Sequence, residues 1–334
     1  MRTIHLEDVT CAPNETVFSG GGFSYLVRPQ FLRFPEGCEK AVVSSVCCDE
    51  EDNIYVLTRN SPLSFFVFSP KGELLHATEA PWFRATHGLF YDRGELLATD
   101  SADHFCCRMS LEGELLQTYG NPGHPSDTGY DPDVIDRLIN QGAIPERGKL
   151  SKHIIYQYRL DTVTRSAGPF NRPTKLIRAK NGNLFCSDGY ANAAVHCFDP
   201  EGNLLMSWGR PGRNPGEFRA VHGVWEDRKG RIWVADRENG RVQVFTALGE
   251  LLFILEDMYR PTDFWENANS LYICESDGAL TIFDLENDRV RARLGGRGSR
   301  LCCHGISGTS KGDLLIACLL LNMKDRFIKL ERIS

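Results

Sequence analysis

The chain contains 334 residues, of which 42% are hydrophobic, so it is long and apolar enough to bury a large core. Its formal net charge of −6 gives no reason to expect nucleic acid or an anionic membrane surface as a partner. The longest apolar stretch, at 314–321, is far shorter than the roughly 20 residues that span a membrane. These features favour a globular protein whose partner is a small molecule.

Cysteine usage and the N-terminus bear on location. Residues 1–15 lack the basic and apolar regions of a signal peptide. The 12 cysteines lie in apolar, strand-like runs or as adjacent pairs, and neighbours on a strand point to opposite faces and rarely form disulfides. Both features favour a reducing, cytoplasmic compartment.

Six segments of the chain resemble one another, and each carries a strand-like apolar run after a polar or glycine-containing turn. They recur about every 40–50 residues, which is the spacing of four-stranded propeller blades. The sequence therefore predicts an all-β, six-bladed β-propeller as one domain over 1–334. In chain order, the predicted elements are a strand at 21–34 that completes the last blade, blades near 39–80 and 81–120, an insertion at about 121–168, and blades near 169–209, 217–257, 258–295 and 300–334.

The insertion at 121–168 does not follow the repeat. Its pattern predicts a short helix that starts at Asp131 as N-cap, has Pro132 in the first position and ends before Gly142. Two positions for the insertion stay open, a lid over the channel or a decoration on the side of the propeller. The basic run at 147–152 and the aromatic residues Tyr156 and Tyr158 do not decide between them.

Three histidines, His87, His222 and His304, occupy the same repeat position on alternate blades. The other three blades carry a hydroxyl residue at this position: Ser44, Thr174 and Thr262. Because inner strands line the central channel, matching positions on alternate blades converge on its axis at roughly 120° to one another. Three imidazoles with no fourth protein ligand predict a metal site with an open position, as in catalytic zinc sites.

The alternative for each of these histidines is simple packing on an inner strand. Three of the nine histidines lie at symmetry-related positions, so a shared metal is the preferred interpretation. The remaining six are predicted to be surface or packing residues: His5, His76, His104, His124, His153 and His196.

Several blocks resemble the NHL-type propeller of peptidyl-α-hydroxyglycine α-amidating lyase. They are THGLFYDRGELLATD at 86–100, the DGYAN block within 187–209, the ADRENGR block within 210–245, PSDTG at 125–129 and GPFNRPT at 168–174. The resemblance covers 81–250 well and the other blades loosely. It implies a zinc-dependent lyase that splits a carbinolamide into an amide and glyoxylate.

The resemblance also implies a role for individual residues. The zinc ligands fall on His87, His222 and His304, and the catalytic tyrosine falls on Tyr190. The family's active-site arginine falls on Arg59, which would hold a carboxylate or an oxyanion through its planar fork.

Arg237 lies beside His222 with Glu238 and Arg241, and it is a candidate for substrate binding or for an ion-pair network. Whether the chain also binds a structural calcium ion is left open. Around the third ligand the chain departs from the family, because Gly305 stands where the lyase has an acidic residue and Cys302 stands where it has a methionine. The reaction type is therefore a safer expectation than the substrate.

Two functions of other classes remain as alternatives. Six-bladed propellers also include lactonase-type hydrolases, which usually hold calcium through carboxylates and asparagines, whereas imidazoles suit zinc better. A non-enzymatic NHL propeller that binds protein or RNA would need no axial histidines, and an RNA binder should show a basic face. Metal content and surface charge would separate these classes.

Overall fold

The computed structural model describes residues 1–9, 15–318 and 325–334. Six sheets stand in a ring, and the predicted six-bladed β-propeller is confirmed. The inner strand of each blade contacts the inner strand of the next, and the inner strand of the last blade contacts that of the first. No helix in the described ranges is long and apolar enough to cross a membrane.

The strands of the first half follow the predicted blades. The N-terminal strands are β1 (Arg2–His5), β2 (Val17–Gly20) and β3 (Phe23–Pro29). Blade 1 contains β4 (Val42–Cys48), β5 (Ile54–Arg59), β6 (Phe65–Phe68) and β7 (Leu74–Thr78). Blade 2 contains β8 (Thr86–Asp92), β9 (Glu95–Asp100), β10 (Phe105–Met109) and β11 (Leu115–Gly120).

The second half continues after the insertion. Blade 3 contains β12 (Pro173–Arg178), β13 (Leu184–Asp188), β14 (Ala194–Phe198) and β15 (Leu204–Trp208). Blade 4 contains β16 (Val221–Glu226), β17 (Ile232–Asp236), β18 (Arg241–Phe245) and β19 (Leu251–Glu256). Blade 5 contains β20 (Pro261–Asn267), β21 (Ser270–Glu275), β22 (Ala279–Asp284) and β23 (Arg289–Gly295). Blade 6 contains β24 (Gly305–Gly308), β25 (Leu314–Ala317) and β26 (Phe327–Arg332).

The N-terminal segment joins two different blades. Strand β3 pairs antiparallel with β26 and so supplies the fourth strand of blade 6, as predicted, while β2 extends that sheet. Strand β1 pairs parallel with β19 at the outer edge of blade 4. The ring is therefore closed by hydrogen bonds between strands from opposite ends of the sequence.

A β-bulge at the start of the inner strand recurs in five blades. The pairing of the inner strand with its neighbour shifts across Ser44, His87, Thr174, His222 and Thr262. A bulge locally bends a strand and redirects a side chain. These are the residues that the repeat placed in register, so the same irregularity directs all five toward the channel, and His304 directly precedes β24 in the sixth blade.

Glycine follows each of the three histidines, and in blades 2 and 4 the next blade comes very close to it. A Cβ atom at Gly88 would lie 2.4 Å from the Thr174 carbonyl oxygen and 2.8 Å from Lys175 Cα. At Gly305, the matching position of blade 6, the nearest atom would be Ser45 Oγ at 3.4 Å. In blade 2 the inner strands lie so close that only glycine fits, whereas blade 6 has room for a methyl group.

This difference gives a matched pair of variants. We expect Gly88→Ala to lower the free energy of unfolding by about 1–3 kcal/mol, because the added methyl forces two backbones apart. Gly305→Ala should leave it nearly unchanged. Urea denaturation of the chelator-treated protein measures both effects without a contribution from bound metal, and equal stability of the two variants would contradict the packing.

The insertion contains two α-helices, α1 (Val134–Asn140) and α2 (Lys152–Leu160), and a 3-10 turn at Arg147–Lys149. The predicted N-cap of α1 was wrong by two residues. Asp133 takes that position, whereas the Asp131 carboxylate accepts a hydrogen bond from the Asp133 backbone and forms the turn before the helix. Helix α2 was not predicted, and its N-cap is Ser151, whose hydroxyl accepts a hydrogen bond from the Ile154 backbone.

Candidate functional site

His87, His222 and His304 meet at the axis of the ring. Each pair of rings has its centroids 4.8 Å apart, so the three imidazoles form a nearly regular triangle. One ligand atom from each lies within 4.8 Å of the other two, and all three side chains are buried. The structure thus brings together the three residues that the repeat identified.

A ring of hydrogen bonds orients the triangle. The Nδ1 atom of each histidine lies 2.7–3.0 Å from a backbone carbonyl of the next blade: His87 from Thr174, His222 from Thr262, and His304 from Ser44. A carbonyl oxygen only accepts, so each Nδ1 carries the proton and each Nε2 keeps its lone pair. Fixing the tautomer through the second nitrogen is the usual arrangement for histidines that bind metals.

The hydroxyl residues of the other blades complete this ring. The Thr174 hydroxyl lies 3.0 Å from the Val221 carbonyl, and the Thr262 hydroxyl lies 2.9 Å from the Cys303 carbonyl. The Ser44 hydroxyl is 2.8 Å from that of Thr86. Each contact holds the residue just before the next histidine, which gives the alternation of His with Ser or Thr a physical reason.

Burial keeps the triad neutral. Burial, followed by the nearby His304 and Arg59, lowers the pKa of His87 well below its ordinary value. Burial and Arg237 do the same for the pKa of His222. The pKa of His304 is lowered to about 3, again mainly by burial and then by Arg59. Neutral imidazoles are the form that binds metal ions.

Tyr190 reaches from the turn after β13 to the triad. Its hydroxyl lies 2.8 Å from His87 Nε2 and 2.9 Å from His222 Nε2, and it accepts a bond from Arg237 Nη1 at 3.3 Å. One phenol proton therefore faces two imidazole lone pairs, while His304 Nε2 is buried without a hydrogen-bond partner. A cation bound by the three nitrogens would satisfy these lone pairs, so the donor set fits a metal, and imidazole ligands suit zinc.

Two arginines flank the triad, and both are residues named from the sequence. Arg59 Nε donates to the Thr86 carbonyl at 2.6 Å, whereas its Nη2 is buried with no partner. Arg237 lies between the rings of Tyr156 and Tyr190, with its guanidinium carbon 5.3 and 5.2 Å from their centroids, and it pairs with Glu238. Arg237 therefore belongs both to an ion-pair network and to the site. Arg241 is instead structural, because it pairs with Asp236.

One histidine of the triad, His304, lies at the inner end of a pocket of about 560 Å³. His304, Tyr190, Arg59 and Arg237 line it, and α2 lines the outer side with Lys152, His153, Ile155, Tyr156 and Arg159. Of the two positions left open, the insertion thus takes the one over the channel. His153, predicted to be an ordinary surface or packing residue, is exposed and lies at this mouth.

The channel is closed beyond the triad. Lys175 and Asp263 each follow a hydroxyl residue of the register, and they form an ion pair with both side chains 5% exposed. Asp263 also accepts from the Ile306 backbone at 3.2 Å. The cavity on this side measures only about 10 Å³. Access to the triad is therefore from the Tyr190 side.

The sequence did not identify several pocket residues. Tyr156, Lys152 and Arg159 were missed because α2 was not recognised, and Arg172 carries no signal beyond the GPFNRPT block. Cys302 and Cys303 also line the pocket. Within the described ranges, no second group of three His, Cys, Asp or Glu residues is close enough to hold a metal. The additional structural calcium ion, left open from the sequence, stays untested.

Comparisons with known proteins identify a repeat family and relatives of similar sequence. The NHL repeat model matches 220–245, which includes His222 and Arg237. Peptidyl-glycine alpha-amidating monooxygenase B of Xenopus laevis is 39% identical over 182 residues, which are 52% of this chain and 17% of that protein. The probable peptidyl-alpha-hydroxyglycine alpha-amidating lyase pgal-1 of Caenorhabditis elegans is 42% identical over 82 residues, 23% of each.

These alignments span less than a quarter of the length of either relative. Among solved structures, a streptogramin B lyase has a TM-score of 0.58 and covers 92% of this chain and 98% of its own, at 12% identity, which is a likeness of fold. The chain is therefore a β-propeller that contains an NHL repeat and is similar in sequence to peptidyl-glycine alpha-amidating monooxygenases and to amidating lyases.

Proposed function

We propose that the protein is a zinc-dependent lyase that cleaves a carbinolamide, or a related small α-hydroxy compound, into an amide and a carbonyl product such as glyoxylate. The observation that carries the proposal is the triad of neutral imidazoles with the Tyr190 hydroxyl 2.8 and 2.9 Å from two of them. Zinc, when bound, supplies a Lewis acid that lowers the pKa of a hydroxyl group.

Tyr190 is positioned to move the proton. In the reaction, the substrate hydroxyl loses its proton, the carbon–oxygen double bond forms, and the carbon–nitrogen bond breaks. As a phenolate, the Tyr190 oxygen would take the hydroxyl proton as general base and return it to the leaving amide nitrogen, so no other reactant is needed. Arg237 donates to this oxygen, and a positive donor of this kind stabilises negative charge there.

Arg59 is the candidate for binding the substrate carboxylate. Its Nη2 has no partner in the structure, and a guanidinium matches a carboxylate through two parallel hydrogen bonds. We expect Arg59→Gln to raise KM about 10–100-fold, the loss expected for a charge-assisted hydrogen bond. Arg59→Lys should recover only part of this loss because an ammonium lacks the fork. Steady-state kinetics measures both, with the exposed Arg33→Gln as control, and an unchanged KM would remove the assignment.

The proposal is tested by metal content and glyoxylate release. Protein purified without chelator or affinity metal is examined by plasma mass spectrometry, and α-hydroxyhippurate is supplied as substrate. About one zinc per chain, with activity that is lost on chelation and restored by zinc, is expected. Zinc-loaded protein that releases no glyoxylate from any α-hydroxyglycine derivative would contradict the reaction.

Two further points belong to the proposal. A small-molecule substrate fits the pocket, and the proposal includes neither nucleic acid nor a membrane as a partner. A reducing, cytoplasmic compartment fits the eleven cysteines of the described ranges, all of which are free thiols.

A further inference from the structure

We propose that the natural substrate carries a second anionic group, on its amide side, and that the insertion and Arg172 bind it. The inference rests on the proposed function, since it names the class of carbinolamide that the same pocket takes. It predicts a small substrate with two negative charges, for example a carbinolamide whose acyl part ends in a carboxylate.

The first observation is the charge of the pocket. Six basic residues line it: Arg59, Lys152, Arg159, Arg172, Arg237 and Arg260. None of its lining residues is an aspartate or a glutamate. The chain as a whole has a net charge of −6, so the charge of this pocket is opposite to that of the whole molecule. A basic pocket of this kind would attract anions into its mouth.

The second observation is that the cations fall into two groups. Arg59 and Arg237 lie at the triad. There Arg59 would bind the carboxylate of the substrate, and Arg237 donates to the Tyr190 oxygen. Arg260 is compensated, because Glu238 and Asp277 pair with it. Three others form no ion pair with a carboxylate in the described part of the chain: Lys152, Arg159 and Arg172.

Neutral acceptors hold two of these three cations in place. Arg172 donates from Nε to the Ser101 carbonyl at 3.0 Å and from Nη1 to the Tyr130 hydroxyl at 3.3 Å. Arg159 donates from Nε to the Pro132 carbonyl at 3.0 Å. Hydrogen bonds of this kind fix the position of a guanidinium but leave its charge uncompensated, so it remains able to attract an anion.

The third observation is an unused donor on α2. The Tyr156 hydroxyl is buried and has no hydrogen-bond partner, although Tyr156 lines the pocket. Its ring contacts the Tyr190 ring at a centroid distance of 6.0 Å, so it lies beside the residue proposed to move the proton. Buried hydroxyl groups normally have partners, and a substrate carbonyl or carboxylate would supply one here.

Binding of unreactive analogues tests this inference apart from the reaction. N-succinylglycine carries two carboxylates, whereas its carboxamide isostere, N-succinamoylglycine, has the same size and carries one. Neither has the α-hydroxyl group, so neither can be cleaved. Titration calorimetry on zinc-loaded protein at low ionic strength should show about tenfold tighter binding of the dianion, the gain expected from one charge-assisted hydrogen bond. Added salt should reduce the difference.

Matched variants locate the second subsite. The Lys152→Gln/Arg159→Gln double variant should bring the two affinities within about twofold of each other. Lys149→Gln removes a charge from the same insertion outside the pocket and should keep the tenfold preference. Arg172→Gln is an independent second variant, and thermal unfolding checks that each protein is folded.

Equal affinity of the wild type for the two analogues, or no binding of either, would overturn the inference. A preference that survives both the double variant and Arg172→Gln would also overturn it, because the second charge would then be bound elsewhere. Cleavage of N-succinyl-α-hydroxyglycine is measured separately. A preference for the dianion without cleavage would reject the proposed reaction alone, and cleavage of α-hydroxyhippurate without such a preference would reject the second anionic group alone.

Discussion

Replacing His222 with alanine is expected to abolish stable zinc binding while the propeller stays folded. Removing one of three imidazoles leaves two ligands, which should weaken binding by more than the roughly 100-fold that loss of an outer hydrogen-bond partner costs. The fold should persist because its hydrophobic clusters lie between neighbouring blades and away from the axis. Plasma mass spectrometry after dialysis measures the metal, and circular dichroism measures the fold.

The control for this experiment is His76→Ala, which removes an exposed histidine on blade 1. It should retain about one zinc per chain. His222→Gln serves as a second variant if the alanine protein proves unstable, because glutamine fills more of the space and is a poor zinc ligand. Full zinc content in either folded His222 variant would show that the axial triad is not the metal site.

Replacing Tyr190 with phenylalanine is expected to lower kcat about 10²–10⁴-fold, the usual contribution of a general acid–base residue. The change removes the one oxygen that contacts both His87 Nε2 and His222 Nε2, and it leaves the ring that packs against Arg237. Zinc content should therefore stay near that of the wild type. Glyoxylate release under saturating substrate measures kcat.

Tyr130→Phe is the matched control, because it removes a pocket hydroxyl that contacts Arg172 and lies away from the triad. It should change kcat by much less than Tyr190→Phe. A kcat that is unaffected by Tyr190→Phe would exclude Tyr190 as the base, whereas a loss of zinc would assign it to metal binding.

The repeat made the fold and the axial histidines predictable from the sequence. Each blade repeats one pattern, so a residue at one repeat position has the same place in every blade. The ring of hydrogen bonds around the triad was less accessible, because its acceptors are backbone carbonyls such as that of Thr174, and these leave no mark on the sequence. Ser44, Thr174 and Thr262 were recognised by position only, without their role.

Helix α2 escaped prediction for a different physical reason. Its segment, KHIIYQYRL, contains β-branched and aromatic residues of modest helix propensity, and only Leu160 is fully buried. Contacts with the propeller hold the helix: Gln157 donates to Glu238 at 2.6 Å and accepts from Arg219 at 2.6 Å. Because tertiary contacts decide the helix, the pocket residues on it could not be found from local pattern.

The closure of the ring by β3 and β26 has a consequence for how the protein matures. His304 stands at the start of the blade that needs both strands, while His87 and His222 lie in blades formed earlier along the chain. The three nitrogens therefore come together only when the first and last parts of the polypeptide have met. Zinc held by the triad, as proposed, would bind tightly only to this joined state, so its uptake would be a late event that stabilises the finished ring.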